Sequence, residues 1–536
     1  MRSFKIIFFF ICFCPVALIN AQNVGDEDVE VVSDYNPVLA DAVKENFTPL
    51  IPEADTKPEP QTYNVPIDFY QIPYQPVKVK PIRLPEEKPE DLENVYVKVG
   101  FGTQLTPLAE AYVGSDRSEK MNYAFYGKYI SQNGNLENQN YSNLKLGGAG
   151  KFFIDKKYVL PINAYYSSNT FHYYGYNNDD TSFEKNDVKQ TFNNYGFDLG
   201  FQNTGDNPLD LDFGITAGLK GISDINKYRE INPFLNGFAE KELSNGHKAG
   251  AAVAYDYYEY TGAGSDYDYI TGIKPYYKIM NDDWSLDAGL EAKVDKDSKA
   301  YILPDAIFSY DLIGDKFVFV AGWKGVLQIN NFENIVAENP FVNDTLSFRN
   351  AEIQEKFIGL RGSTNGNFSF TLKGYQKTAE DLPFFINDSL DMKRFDIVYN
   401  DASIWGGNIE LAYFNTDKFN FTGSLNMFRF SELSTLDKPY HRPTLEWTIS
   451  GMYRFNSKML MNADIFGVGK SYALIPDGSE EEIKGTTDIN ISAVYEYSKY
   501  FNIFLNLNNM ANFKYQRYYN YPSYGAQIVG GLSFTF

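Results

Sequence analysis

Ile528-Val529-Gly530-Gly531-Leu532-Ser533-Phe534-Thr535-Phe536 decides how the rest of this 536-residue chain is read. In an extended strand Ile528, Gly530, Leu532, Phe534 and Phe536 fall on one face, with Ser533 and Thr535 on the other. One greasy face, one polar face and an aromatic end suit the closing strand of a membrane barrel, whose terminal ring sits in an interfacial girdle.

The same two-residue period recurs upstream. Phe419, Phe421, Leu425 and Met427 alternate with Asn420, Thr422, Ser424 and Asn426, and Ile503, Leu505 and Leu507 alternate with Asn502, Asn506 and Asn508. A soluble sandwich produces this alternation too, so the turns must discriminate. Short polar turns fall at 204–207, 244–246, 281–283, 314–315, 364–366, 415–417, 456–458 and 498–499. Between them lie longer connections at 174–190, 330–354, 379–394, 432–443, 474–484 and 509–524. Short turns in phase with long loops are the asymmetry of an outer-membrane barrel. With a first hairpin near 103–107, this rule predicts an all-β, transmembrane antiparallel β-barrel of about 22 strands. Both ends of the barrel then lie on the short-turn side.

Composition agrees. Aromatic residues make up 17% of the chain, with 42 Tyr and 43 Phe, yet charged residues reach 22%. No long apolar run follows the N-terminus, as a helical membrane protein would require. A barrel wall, apolar outside and polar inside, reconciles the two facts. The formal charge of −21 argues against nucleic acid as a partner.

Residues 1–21 read as a signal peptide: Arg2 and Lys5, an apolar stretch over 6–18, and Ile19-Asn20-Ala21 before the cut. Both cysteines, Cys12 and Cys14, lie inside it, so the processed chain has no disulfide, thiolate metal site or Cys nucleophile. Residues 22–93 form a separate Pro-rich arm, whose prolines forbid helix and central strand. Its Tyr63, Phe69, Tyr70 and Tyr74 are too apolar for a solvated linker, and are expected to rest on the lumen wall and occlude it. The alternative is a periplasmic tether. The barrel is assigned to residues 94–536.

Nothing in the sequence assembles a catalytic centre. The three histidines, His172, His247 and His441, are placed in two outer loops and one periplasmic turn, exposed and without a common site. No Gly-x-Ser-x-Gly, His-Glu-x-x-His or phosphate-loop motif occurs. Glu480-Glu481-Glu482 and Asn177-Asn178-Asp179-Asp180 read as solvated acidic loops. No cofactor or metal is expected, and the chain is not expected to be an enzyme. Tyr515, Tyr518, Tyr519, Tyr521 and Tyr524 suit either stacking on a sugar or partner, or an interfacial girdle.

Several stretches resemble the barrel of TonB-dependent receptors. Asn506-Leu507-Asn508-Asn509 ahead of Tyr515 is similar to their penultimate strand, and Tyr519-Asn520-Tyr521-Pro522 with Gly525 to their last outer loop. Asn339-Pro340-Phe341, followed by Glu355-Lys356-Phe357-Ile358-Gly359-Leu360, resembles their Asn-Pro loop and the next strand. Val398-Tyr399-Asn400 with Gly406-Gly407-Asn408-Ile409-Glu410-Leu411 resembles another, and 531–536 their closing strand. The likeness covers roughly residues 330–536. It implies a Gram-negative outer-membrane location, contact with membrane lipid, and a transport or receptor role. It also implies that Ile528, Leu532, Phe534 and Phe536 form the barrel-closing signal read by the barrel assembly machinery. Such receptors carry a folded plug of well over a hundred residues ahead of the barrel; here the Pro-rich arm stands instead, so the resemblance is to a plug-less relative. Val29, Val31 and Val32 lie in an acidic-valine segment like the one that adds a strand to TonB. The second reading is a structural or assembly subunit that docks another envelope protein through the arm.

Overall fold

A computed structural model describes residues 93–536, apart from residues 117, 177–180, 205–209, 263, 315, 344–346, 365–366 and 416–417. The signal segment, Val29, Val31, Val32, Tyr63, Phe69, Tyr70 and Tyr74 lie outside the described residues.

Twenty-two antiparallel strands form one closed sheet. Each pairs with its sequence neighbour, and the ring is sealed where Val95–Gly102 pairs with Gln527–Thr535, from Tyr96 opposite Thr535 to Gly102 opposite Val529. The strand number expected from turn spacing is the number found. Closure leaves no unpaired edge, the condition for strands to cross a bilayer.

The alternation puts chemistry on two faces. Outward-facing Phe197, Leu199, Ile215, Leu219, Val253 and Ile273 are exposed apolar side chains, as a lipid-facing wall requires. The opposite face carries matched charges across the sheet. Glu110 lies 3.9 Å from Lys98 and 3.3 Å from Lys128; Glu240 lies 2.6 Å from Lys278 and 3.1 Å from Lys248. Glu355 is shared in the same way by Lys373 and Lys377. Glu110 stands directly opposite both Lys98 and Lys128, and Glu355 opposite Lys377, the cross-strand placement in which opposite charges stabilise a sheet.

Connections on the end that carries both described termini are short, such as 155–157, 243–247 and 457–458. Those on the other end include 173–188, 329–350, 434–444, 469–485 and 509–526. The first hairpin turns at Thr103–Leu105, with Gln104 at φ 59° and Leu105 at φ 51°. Two readings of the long connections need correction. Residues 379–394 are not mainly loop: strand Phe368–Asn387 runs on to Asn387 and pairs with Phe395–Asn415, leaving only 388–394 as connection. A register shift between Ala379 and Leu382, with Asp381 at φ 53°, lets the strand continue past Pro383. Glu480-Glu481-Glu482 is likewise not loose loop. It forms strand Glu480–Ile483 of a small hairpin with Ser471–Leu474, and Glu480 and Glu482 pair with Lys438 and Lys470.

Candidate functional site

Five connections at the long-loop end fold together over the opening. The largest, 329–350, carries helix α1, Phe332–Glu338. Asn331 caps it, its side chain accepting from the Asn334 amide at 3.1 Å. The wall holds this end down: Glu230 accepts from Asn331 Nδ2 and from the Phe332 amide, both at 2.7 Å. A carboxylate there answers both the free amide and the positive end of the helix. Phe332, Ile335 and Val336 are buried, with the Phe332 ring 5.9 Å from Phe192 and 5.3 Å from Tyr260 on the inner wall.

Past the helix, Asn339-Pro340-Phe341 turns toward the other wall. The Phe341 ring stacks on Tyr521 at 3.6 Å and meets Phe171 edge-on at 5.4 Å. The backbone there pairs with Phe395: the Phe395 amide donates to the Phe341 carbonyl at 3.0 Å, and the Asn343 amide to the Phe395 carbonyl at 2.9 Å. Tyr518, from connection 509–526, packs its ring 5.5 Å from Phe395 and 6.0 Å from Phe385, and donates to the Glu338 carbonyl at 2.6 Å. Tyr174, from 173–188, meets Tyr521 at 4.9 Å and donates to the Pro522 carbonyl. Lys393 and Arg394, from 388–394, lie over Phe183 and Tyr173.

Phe192 and Phe385 belong to the sixth and fifteenth of the 22 strands, nearly opposite each other around the ring. Their inclusion in one buried cluster with Phe395, Tyr518 and Tyr521 therefore bridges the opening. We call this assembly the aromatic lid. Tyr518 and Tyr521 are neither an interfacial girdle nor a free stacking platform; both are buried in the lid, 6% and 4% exposed.

The histidines also depart from expectation. His247 is at a short turn, as placed, but His172 and His441 are buried. In connection 434–444, His441 Nδ1 lies 2.9 Å from the Phe385 carbonyl, and its Nε2 accepts from the Tyr519 amide at 3.3 Å. Neighbouring Arg442 pairs with Glu338 at 2.8 Å. Burial, the dominant cause, and Arg442 lower the His441 pKa to about 4. The opened lid binds the His441 proton more tightly than the closed one, so lid stability is complete above about pH 6.5 and falls as the pH approaches 4. The loss amounts to about 3 kcal/mol. Protection factors across 329–350, the exchange rates divided into the intrinsic rate at each pH, are expected to fall on going from pH 7 to pH 5, and His441→Phe to flatten that response.

Beside the lid, under connection 329–350, lies a cavity of about 240 Å³. Its lining holds six carboxylates, Glu230, Asp266, Asp268, Asp295, Asp297 and Asp381, against three cations, Lys296, Lys299 and Arg349. Tyr258 and Tyr301 supply aromatic walls. Asn350 donates to Asp268 at 2.9 Å and Tyr301 to Asp295 at 2.8 Å. Among the described residues no group of three or more His, Cys, Asp or Glu side chains is arranged to hold a metal. In the closing strand, Ile528, Leu532 and Phe536 are exposed on the outer face.

Fold and lid together define a class: a 22-stranded transmembrane β-barrel whose wide opening is covered by its own loops. Solved structures of that fold follow. The ferric-catecholate import receptor Fiu of E. coli K12 matches with a TM-score of 0.65 at 9% identity, over 84% of this chain and 82% of that one. The FrpB iron transporter of Neisseria meningitidis (F5-1 variant) matches at 0.66 and 12%, over 84% and 82%. The siderophore receptor PirA of Acinetobacter baumannii matches at 0.64 and 10%, over 84% and 81%. At these identities the likeness is one of fold. No protein-family model and no curated protein sequence matches the chain.

The sequence pointed to Asn339-Pro340-Phe341 and to the tyrosines of 515–524, and these do meet. It did not point to Glu230, Phe171, Phe192, Ile222, Phe385 or Phe395. Adjacent Phe384 and Phe385, both buried, are a local irregularity at this place: in a strand with one wet face, two neighbouring aromatics leave one of them to be covered by something else.

Proposed function

We propose that this chain is an outer-membrane receptor of the transport type, in which the aromatic lid governs access to the lumen from outside the cell. The observation that carries the reading is a buried aromatic cluster joining opposite walls of a barrel that shares its fold with import receptors. An open barrel of this width would leak, so closure from within the fold is what such a protein needs. We propose further that it is a relative in which the segment directly ahead of the barrel, residues 22–93, is a Pro-rich arm rather than a folded plug. In this reading Tyr63, Phe69, Tyr70 and Tyr74 rest in the lumen, and Val29, Val31 and Val32 offer a strand to TonB. The excess of carboxylates in the cavity beside the lid favours a neutral or cationic polar solute over an anionic ferric chelate.

Cysteines at Phe183 and Lys393, whose side chains meet across the lid, allow it to be locked with a bifunctional thiol reagent. A deletion strain is expected to lose growth on one defined solute, and locking to reproduce that loss until the crosslink is reversed. A second reading, a structural subunit of an envelope complex, is favoured by how thoroughly the lid core is packed, with Phe395 at 0% and Ile335 at 1% exposure. It predicts instead that growth on every solute persists while a partner protein fails to co-purify.

A further inference from the structure

On the outer face of the barrel, between the exposed Ile358 and Met427, runs an apolar groove of about 1340 Å³. It follows one register row, Ala321 opposite Ile358, Gly374, Gly407 and Met427 in turn, with the two glycines as its floor. A Cβ built at Gly374 meets nothing within 4 Å, so the trough is open to whatever surrounds the barrel. The adjacent row toward the long-loop end is different in kind: Trp323, Lys356, Gln376, Trp405 and Arg429 are register neighbours across five strands. Lys356 Nζ lies 5.2 Å from the Trp323 ring, and Trp405 is 60% exposed.

The charge of this row is the informative part. The chain carries 69 acidic residues, yet no carboxylate lines the groove. Lumen-facing lysines such as Lys98, Lys278 and Lys373 pair with glutamates. Lys356 and Arg429 have no ion-pair partner among the described residues. Cations on an apolar face need an anion from outside the fold. Their height says which layer supplies it. Trp405 is about ten residues above the short-turn end of its strand at Asn415, which at ~3.3 Å per residue and ~40° tilt is about 25 Å, the full height of the apolar band. The cations therefore sit at the far interface, with acyl-sized space beneath them. Three strand spacings separate Lys356 from Arg429, about 14 Å, suited to phosphates at opposite ends of a disaccharide rather than to one phosphodiester.

We propose that this groove is a binding site for a phosphorylated glycolipid of the outer leaflet, with acyl chains along Gly374 and Gly407 and its two phosphates on Lys356 and Arg429. The proposal rests on the outer-membrane placement above, and recovery of the protein in the outer-membrane fraction separates failure of that placement from failure of the site.

The test compares wild type, the double variant Lys356→Glu with Arg429→Glu, and Gly374→Leu, each purified from outer membranes in mild detergent and examined by native mass spectrometry. About one phosphorylated glycolipid per wild-type barrel is expected, with occupancy about tenfold lower in the double variant. Gly374→Leu, which fills the trough without touching a charge, is expected to lower it as well, with heat-modifiable migration on gels unchanged. Should the charge reversal impair folding, Gly374→Leu decides alone. Unchanged occupancy in the folded variants overturns the proposal, as does equal retention of phosphatidylglycerol when both lipids are offered in nanodiscs.

Discussion

Phe395→Asp is expected to open the lid while leaving the barrel intact. Phe395 is fully buried, its ring meets Tyr518 at 5.5 Å, Tyr521 at 6.0 Å and His441 at 5.2 Å, and its backbone holds both Phe341 and Asn343. Removing a buried phenylalanine costs about 3–5 kcal/mol, and a carboxylate with no partner there adds to it. The backbone ladder of strand Phe395–Asn415 with both neighbours persists, because it depends on the register from Asp396 onward and not on this ring. The cost therefore falls on the lid, a local opening rather than global unfolding. Protease cleavage within 329–350 is expected to rise at least about a hundredfold, the population change that such an energy implies. Heat-modifiable migration should be retained, and Phe395→Leu should show a much smaller effect. Unaltered cleavage in the Asp variant would mean that the cluster does not hold the opening closed.

Gly531→Val is expected to abolish closure of the ring. Gly531 stands opposite Gly100 in the seam and opposite Phe504 on its other side. An added Cβ would lie 2.1 Å from the Val99 carbonyl oxygen, 2.6 Å from the Gly100 Cα and 2.6 Å from the Phe504 ring. Two of these atoms are backbone of the strand that seals the barrel, and Phe504 is buried, so nothing nearby yields without breaking the pairing of Val95–Gly102 with Gln527–Thr535. Overpacking of this severity exceeds the ordinary 1–3 kcal/mol range. The folded band on unheated gels should fall to below about a tenth of wild type. Gly374→Val, placed where an added methyl meets nothing, is the control and should fold normally. Normal migration of the Gly531 variant would require a seam different from the one described.

These two positions show how unevenly the molecule could be read in advance. The closing strand was legible because a period of two is a local property, written in Ile528, Leu532 and Phe534 without reference to anything distant. The phase of short turns and long loops was legible for the same reason. The extension of strand Phe368–Asn387 was not, because Pro383 reads as a breaker unless the shift at Ala379 and Leu382 is known. His441, Tyr518 and Tyr521 lie in the loops where the sequence places them, but buried there rather than facing solvent or lipid. Their burial depends on residues hundreds of positions away, such as Phe171 with Phe341, or Tyr518 with Glu338.

Alternating apolar and polar faces, antiparallel hairpins, and about 22 strands making a ring with unequal rims are all legible in the residues alone. Each is settled by side-chain direction and turn length within a few residues. Which inner-wall aromatics meet across the mouth, and which outward residues line up as Trp323, Lys356, Gln376, Trp405 and Arg429, emerges only once the chain has folded. The reason is physical. Alternation says which face a side chain takes, but its neighbours on that face are set by the stagger of every strand against the next, and its cover by loops whose ends are fixed only once the ring has closed.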